Sequence, residues 1–313
     1  MTTWGTFRTF AACLLLVTVA AGPAVAQDRA DIAEVAPICP ASGPPRTLVA
    51  QPRSFEAAAF DQRGRLLISD WLGNAVDMLE APETTPRTVA SVPSPGGIAP
   101  LPDGQVLVGA GASVSSALQA PASGAASLLR LDPDTGALTP YADGLSMSNG
   151  VVRAADGTVY ASNDIVPALD RVDPDGTVHR GWFRETPTNG LALSPDDRTL
   201  YANVSFGDTR ILAIDTATGA ARTYFRPPPG FGNAFFDDLD IDAQGRLYAP
   251  MYLAGQVWRI DTDGAFCALA TGLALPAGIT VGTAESAFAA DSVFVTTHTG
   301  QIIELPHAIP HSE

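Results

Sequence analysis

The chain has 313 residues, 46% of them hydrophobic, which is enough to bury a large core as one domain. Its 18 basic residues are all arginine and face 33 acids, for a net charge of −15; nucleic acid and anionic membranes are therefore poor partners, and lysine nucleophiles and Schiff bases are excluded.

The first residues carry Arg8, an apolar stretch too short to span a bilayer, and Ala24-Val25-Ala26 as a small-residue cleavage site. This pattern predicts a secretory signal over 1–26, and hence a periplasmic or secreted chain of charge −16 that makes no membrane contact after cleavage. Cys13 lies in that segment, so cleavage leaves Cys39 and Cys267, an even pair in an oxidising compartment that predicts a disulfide. Residues 27–45 are rich in Pro and Ala without periodicity and predict a coil over the surface of a domain running from 46 to 313.

From there the chain repeats itself. Six copies of an apolar run, a Gly or Asp turn and a second apolar run begin at Glu56, Gly96, Asn149, Asn189, Asp237 and Ala277. Alternating apolar residues between such turns read as antiparallel strands, and a repeat of roughly 40 to 50 residues reads as propeller blades. The expected fold is all-β, a six-bladed β-propeller. The sixth copy finishes near Leu305 with only three strands, and Arg46–Ala50 resembles Pro86–Ala90 at the end of the first copy. The N-terminal strand is thus expected to complete the sixth blade and remove an open edge. In the second copy, the Gly-, Ala- and Ser-rich stretch from Gly109 to Ser127 predicts a flexible loop, read either as a lid or as a passive insertion.

Aligning the copies on their first turn places Glu56, Asn149, Asn189 and Asp237 each eight residues before Gly64, Gly157, Asp197 and Gly245. In a propeller the first strand of each blade is innermost, so these residues converge at one mouth of the central channel. Two carboxylates and two amides suit a hard divalent cation, Ca²⁺ foremost, rather than Zn²⁺. The ends of the second strands return to the same face and add Trp71, Gly111, Asp164, Ser205, Tyr252 and His298. Of these, Trp71, Asp164, Ser205 and Tyr252, with Asn149, are expected to bind a small polar molecule, and His298 to serve as proton donor or base. Asp238 is expected to point away from Asp237, onto the other face of the strand.

With these residues in hand, the chain resembles the senescence marker protein/gluconolactonase/luciferin-regenerating enzyme family, six-bladed propellers that include lactonases and, in a related branch, diisopropyl fluorophosphatase. The likeness covers about residues 46–305. By position, Glu56, Asn189 and Asp237 match the family's metal-binding Glu, Asn and Asp. Asn149 matches an Asn that touches metal or substrate, and His298 a histidine near the pocket in the fluorophosphatase branch. Two departures stand out: Glu56-Ala-Ala where the family often has Glu-Gly-Pro, and Asp237-Asp238 where it has Asp-Gly. The resemblance implies a Ca²⁺-dependent lactonase with Asp237 and His298 in the chemistry. A phosphotriester or aryl ester hydrolase on the same metal, and a non-catalytic ligand-binding propeller, are the alternatives. No Gly-x-Ser-x-Gly elbow is present, which disfavours a serine hydrolase.

Overall fold

Each copy folds as a four-stranded antiparallel meander because its short apolar runs are separated by turns that only a few residue types can make. A computed structural model describes residues 36–310 apart from 41, 120–123, 232–234 and 285; the segment read as a signal lies outside the described residues. In five copies the first turn is closed by the same backbone hydrogen bond, three residues back, from Gly64, Gly104, Gly157, Asp197 and Gly245 to Asp61, Leu101, Ala154, Ser194 and Asp242, at 2.8–3.2 Å. All five donors adopt positive φ, from 56° at Asp197 to 99° at Gly157, which explains why Gly recurs and why Asp is its one substitute. The alignment on this turn therefore reflects one backbone geometry rather than a coincidence of spelling.

Six four-stranded sheets result, a six-bladed β-propeller. The innermost strands are Phe55–Phe60, Ile98–Pro100, Val151–Arg153, Leu191–Leu193, Asp240–Ile241 and Pro276–Val281. Strand Arg46–Ala50 pairs antiparallel with Gln301–Leu305 as the outer strand of the sixth blade, with Arg46 opposite Glu304 and Ala50 opposite Gln301. Apolar side chains pack between adjacent blades; one cluster joins Trp258, Phe236 and Phe231 of the fifth blade region to Phe225 and Ile211 of the fourth. Ahead of the propeller, residues 36–39 are not simply draped coil. Ile38 bridges Ala268 in parallel, Cys39 N–H donates to Ala268 C=O at 2.9 Å, and Cys39 is disulfide-bonded to Cys267.

The stretch from Gly109 to Ser127 differs from the flexible loop expected. Gly109 and Ala110 end strand Val106–Ala110, Ser127 belongs to strand Ala126–Leu131, and Val114–Gln119 forms a short α-helix. Ser113 starts it, its Oγ accepting the Ser116 N–H at 3.2 Å, so a capping serine ahead of good helix formers outweighs the low-complexity composition.

The inner strands surround a cavity of about 330 Å³. Between blades five and six, Asp238 and Asp240 stand where a neighbouring strand would be: their Oδ2 atoms accept the N–H of Ile279 at 3.1 Å and of Val281 at 2.8 Å. Burial pushes the Asp240 carboxyl up to about 6 despite these bonds. Because this lies above the ordinary 3.8, the stabilising contribution of the protonated form is complete below about pH 4 and is lost as pH rises through 6. Asp240→Asn keeps an oxygen for Val281 N–H and cannot ionise. It is expected to be more stable than wild type near pH 8, by at most about 3 kcal/mol, with the gap closing toward pH 4 in thermal melts; a gap that does not change with pH would refute this.

Candidate active site at the channel mouth

The residue that opens each inner strand is held from two directions. Within its own blade, the N–H groups of Asn149, Asn189 and Asp237 donate to the carbonyls of Ser162, Asn203 and Pro250, equivalent positions near the end of the second strand. From the preceding blade, a polar side chain at that same position reaches across. Ser69 Oγ donates to Gly96 C=O at 2.6 Å, Asn203 Nδ2 to the carbonyls of Asp237 at 3.2 Å and Asp238 at 2.7 Å, and Thr296 Oγ1 to Glu56 C=O at 3.1 Å. Blades one, four and six thus aim the opening residues of blades two, five and one.

This closeness explains the glycines that follow most opening residues. A Cβ on Gly190 would lie 2.3 Å from the Asp238 backbone, and one on Gly278 2.3 Å from Glu56 C=O. Asp238 and Ala57 occupy the same step in the blades that depart from the family pattern. Asp238 points toward blade six, away from the Asn189 that Asp237 contacts, and is spent on Ile279 N–H with its carboxyl held well above the usual range by burial. It is a structural group rather than an idle neighbour.

The expected convergence is present. Asn189 Nδ2 donates to Asp237 Oδ1 at 2.8 Å, and Asn149 Nδ2 lies 3.5 Å from Glu56 Oε1. Glu56 Oε2 is bonded to His298 Nε2, whose other nitrogen, Nδ1, meets the Tyr252 hydroxyl at 2.7 Å. Trp71 stacks on the His298 ring at 5.8 Å and donates its indole N–H to Ala112 C=O at 2.7 Å. Asp164 completes the group electrostatically: burial pushes its carboxyl up to about 7, and the charge of Glu56 adds to the rise. Asp237 is pushed up to about 7 as well, by burial first and by Glu56 next, with His298 and the Asn189 bond working in the opposite direction. Burial disfavours the imidazolium of His298, but Glu56 and Asp237 overcome it and hold its pKa above the ordinary value.

Ser205 takes a different place from the one expected. It is 4% exposed and its hydroxyl donates to Phe236 C=O at 2.6 Å, tying the blade-four loop to the segment that leads into Asp237. Thr188, Asn163 and Phe235, which the sequence did not single out, border the same mouth beside Asp164. Thr188 Oγ1, Asn163 Nδ2 and Asp164 Oδ1 are buried without hydrogen-bond partners on the side of blades three and four, and Phe235 stacks on Tyr252 with ring centres 5.1 Å apart. Phe235 and Thr188 sit in connections between blades, where a repeat alignment carries no information.

Among the described residues, no three His, Cys, Asp or Glu side chains are grouped as a metal centre. The four candidate donors include two amides, and such a set fits a hard cation on its own chemistry. Glu56 raises the pKa of both Asp164 and Asp237 in a buried mouth, and the two amides turn N–H groups toward Glu56 and Asp237. Rotating either amide by half a turn presents its oxygen instead.

The family model described as SMP-30/Gluconolactonase/LRE-like region matches residues 56–299, from Glu56 to just past His298. A search of curated proteins gave no match. Among solved structures, a gluconolactonase from Xanthomonas campestris superposes with a TM-score of 0.67 at 21% identity, over 87% of this chain and 97% of that one. A calcium-binding regucalcin from Agrobacterium tumefaciens gives 0.65 at 18% identity, over 88% and 97%. A catalytically inactive virginiamycin B lyase from Staphylococcus aureus, bound to quinupristin, gives 0.57 at 17% identity over 80% of each chain. At these identities the structural likenesses establish the fold.

Proposed function

The chain belongs to the SMP-30/gluconolactonase/LRE-like family, and from that premise we propose that it is an exported lactone hydrolase working with a divalent cation, Ca²⁺ foremost, at the channel mouth. The observation that carries the reading is the convergence of Glu56, Asn149, Asn189 and Asp237, four residues in one register, beside a histidine held by a glutamate and a tyrosine. A passive scaffold gains nothing from burying carboxylates against one another. Glu56 and Asp237, with the amide oxygens of Asn149 and Asn189, would hold the cation. When bound, it would polarise the lactone carbonyl and stabilise the oxyanion.

The chain's own groups supply the rest. Asp237 takes a proton from the attacking water, whose oxygen bonds to the carbonyl carbon. The ring C–O bond then breaks and the departing alkoxide takes the His298 Nε2 proton that Glu56 Oε2 holds in the resting site, giving the open hydroxy acid. The Tyr252 hydroxyl on Nδ1 fixes the plane of the imidazole, and the stacked Trp71 keeps water from its face. Asp164, Asn163 and Thr188 offer unpartnered polar atoms to the substrate on the opposite side. Export by the amino-terminal signal would deliver the chain to a compartment where Ca²⁺ sites of modest affinity fill.

Lactones, aryl esters and phosphotriesters assayed with Ca²⁺, after chelation, and after Ca²⁺ is restored test this reading. Lactone hydrolysis is expected to disappear with the chelator and return with the metal. Hydrolysis indifferent to chelation would remove the cation from the account. Calorimetric Ca²⁺ binding without turnover of any substrate would leave a ligand-binding propeller, and preferential turnover of phosphotriesters would move the assignment to that class.

A further inference from the structure

An arc of aromatic rings runs away from the reacting groups along the rim. His298 meets Tyr252 edge-on at 5.3 Å, Tyr252 stacks on Phe235 at 5.1 Å, and Phe235 touches Phe206 at 5.0 Å; on the other side of His298 lies Trp71. The polar atoms of the arc are turned to one another, to Glu56 or to backbone. Tyr252 and His298 share a hydrogen bond and Trp71 uses its N–H on Ala112, so what the arc presents is mostly hydrocarbon.

Exposure strengthens the point. Four large apolar side chains stand open to solvent among the described residues, and three of them, Phe206 at 54%, Leu72 at 62% and Leu118 at 63%, lie in connections after second strands. Those connections are on the same face as the mouth. An exposed apolar strip continuous with a buried polar cluster is the usual form of a site that binds an amphipathic small molecule. A polyhydroxylated sugar ring needs donors and acceptors around its edge. Here they are confined to the side of Asn163, Asp164 and Thr188.

We propose that the strip from Tyr252 through Phe235 to Phe206 is a subsite for an apolar substituent on the lactone ring, so that the preferred substrates are alkyl- or aryl-substituted lactones rather than sugar lactones. This rests on the lactonase reading. The ester group sits among Glu56, Asp237 and His298, and a substituent on the ring carbon next to the ester oxygen runs along the rings.

Three six-membered lactones with the same scissile bond separate the possibilities: δ-valerolactone, δ-decalactone with a pentyl chain, and glucono-1,5-lactone. Wild type is expected to give the highest kcat/KM with δ-decalactone. In Phe206→Ala and Phe235→Ala the ratio of δ-decalactone to δ-valerolactone activity should fall about 10-fold, the scale on which an apolar pocket discriminates by a few methylenes. Phe206 is exposed, so its replacement leaves the core intact even if Phe235→Ala folds poorly. Preference for glucono-1,5-lactone, or an unchanged ratio in Phe206→Ala, would overturn the subsite while leaving lactone hydrolysis standing. If no lactone is turned over, calorimetry with the non-hydrolysable lactam 6-pentyl-2-piperidone against 2-piperidone still decides. Tighter binding of the pentyl compound that is weakened in Phe206→Ala supports the subsite without the hydrolase, and equal binding of both refutes it.

Discussion

Asp237→Asn is expected to abolish most activity and to stay impaired when Ca²⁺ is raised to saturation. The substitution preserves shape and an oxygen donor, and it leaves the Asn203 bonds to the backbone at 237 and 238 untouched, so the propeller should fold. What it removes is one of the two carboxylates in the four-residue set, together with the acceptor for the proton of the attacking water. Loss of a preorganised charge aimed at a reacting centre costs on the order of 10²–10³-fold in turnover, beyond any loss of metal affinity. Asn149→Ala deletes only a neutral donor that lies 3.5 Å from Glu56, and excess Ca²⁺ should restore part of its activity. The two variants are compared by calorimetric Ca²⁺ affinity and by turnover at saturating metal. Full recovery of Asp237→Asn at high Ca²⁺ would show that Asp237 is a ligand and nothing more.

The second large effect concerns stability. The Cys39–Cys267 bridge joins positions 228 residues apart, and a cross-link over so long a stretch restricts the unfolded chain severely. Replacing both cysteines by serine is expected to cost about 4 kcal/mol and lower the melting temperature by about 10 °C. Mass spectrometry of the mature protein before reduction checks the bond itself. Unchanged melting in the double variant would mean that the Pro37 and Cys39 backbone bonds to Ala268 already hold the segment.

The fold was legible because the repeat carries a geometric signature: a residue of positive φ closes the first turn in five copies, and an eight-residue count back from it reaches the channel mouth. That count located Glu56, Asn149, Asn189 and Asp237 without reference to packing. It could not anticipate what depends on contacts between blades. Ser205 has the right position but gives its hydroxyl to Phe236, and Asp238 reaches sideways to Ile279. Asn203 and Thr296 support the mouth from the neighbouring blade. The short helix Val114–Gln119 was hidden in a composition that reads as disorder, although Ser113 ahead of it was a visible cap. Phe206 and Phe235 escaped because connections between strands vary in length, and no spacing rule reaches them.

The strand Arg46–Ala50 has to wait for nearly the whole chain, since its partner Gln301–Leu305 is made some 250 residues later. During synthesis its hydrogen-bonding edge is therefore open for longer than any other, and the five blades between can collapse before the circle shuts. Closure joins segments far apart in the chain and so carries a high loop entropy. A chain interrupted before that moment offers two complementary free edges, its own first strand and the waiting sixth sheet, to any second copy nearby. The hazard specific to this architecture is exchange of the first strand between molecules, and oxidation of Cys39 onto Cys267 within one molecule is the step that forecloses it.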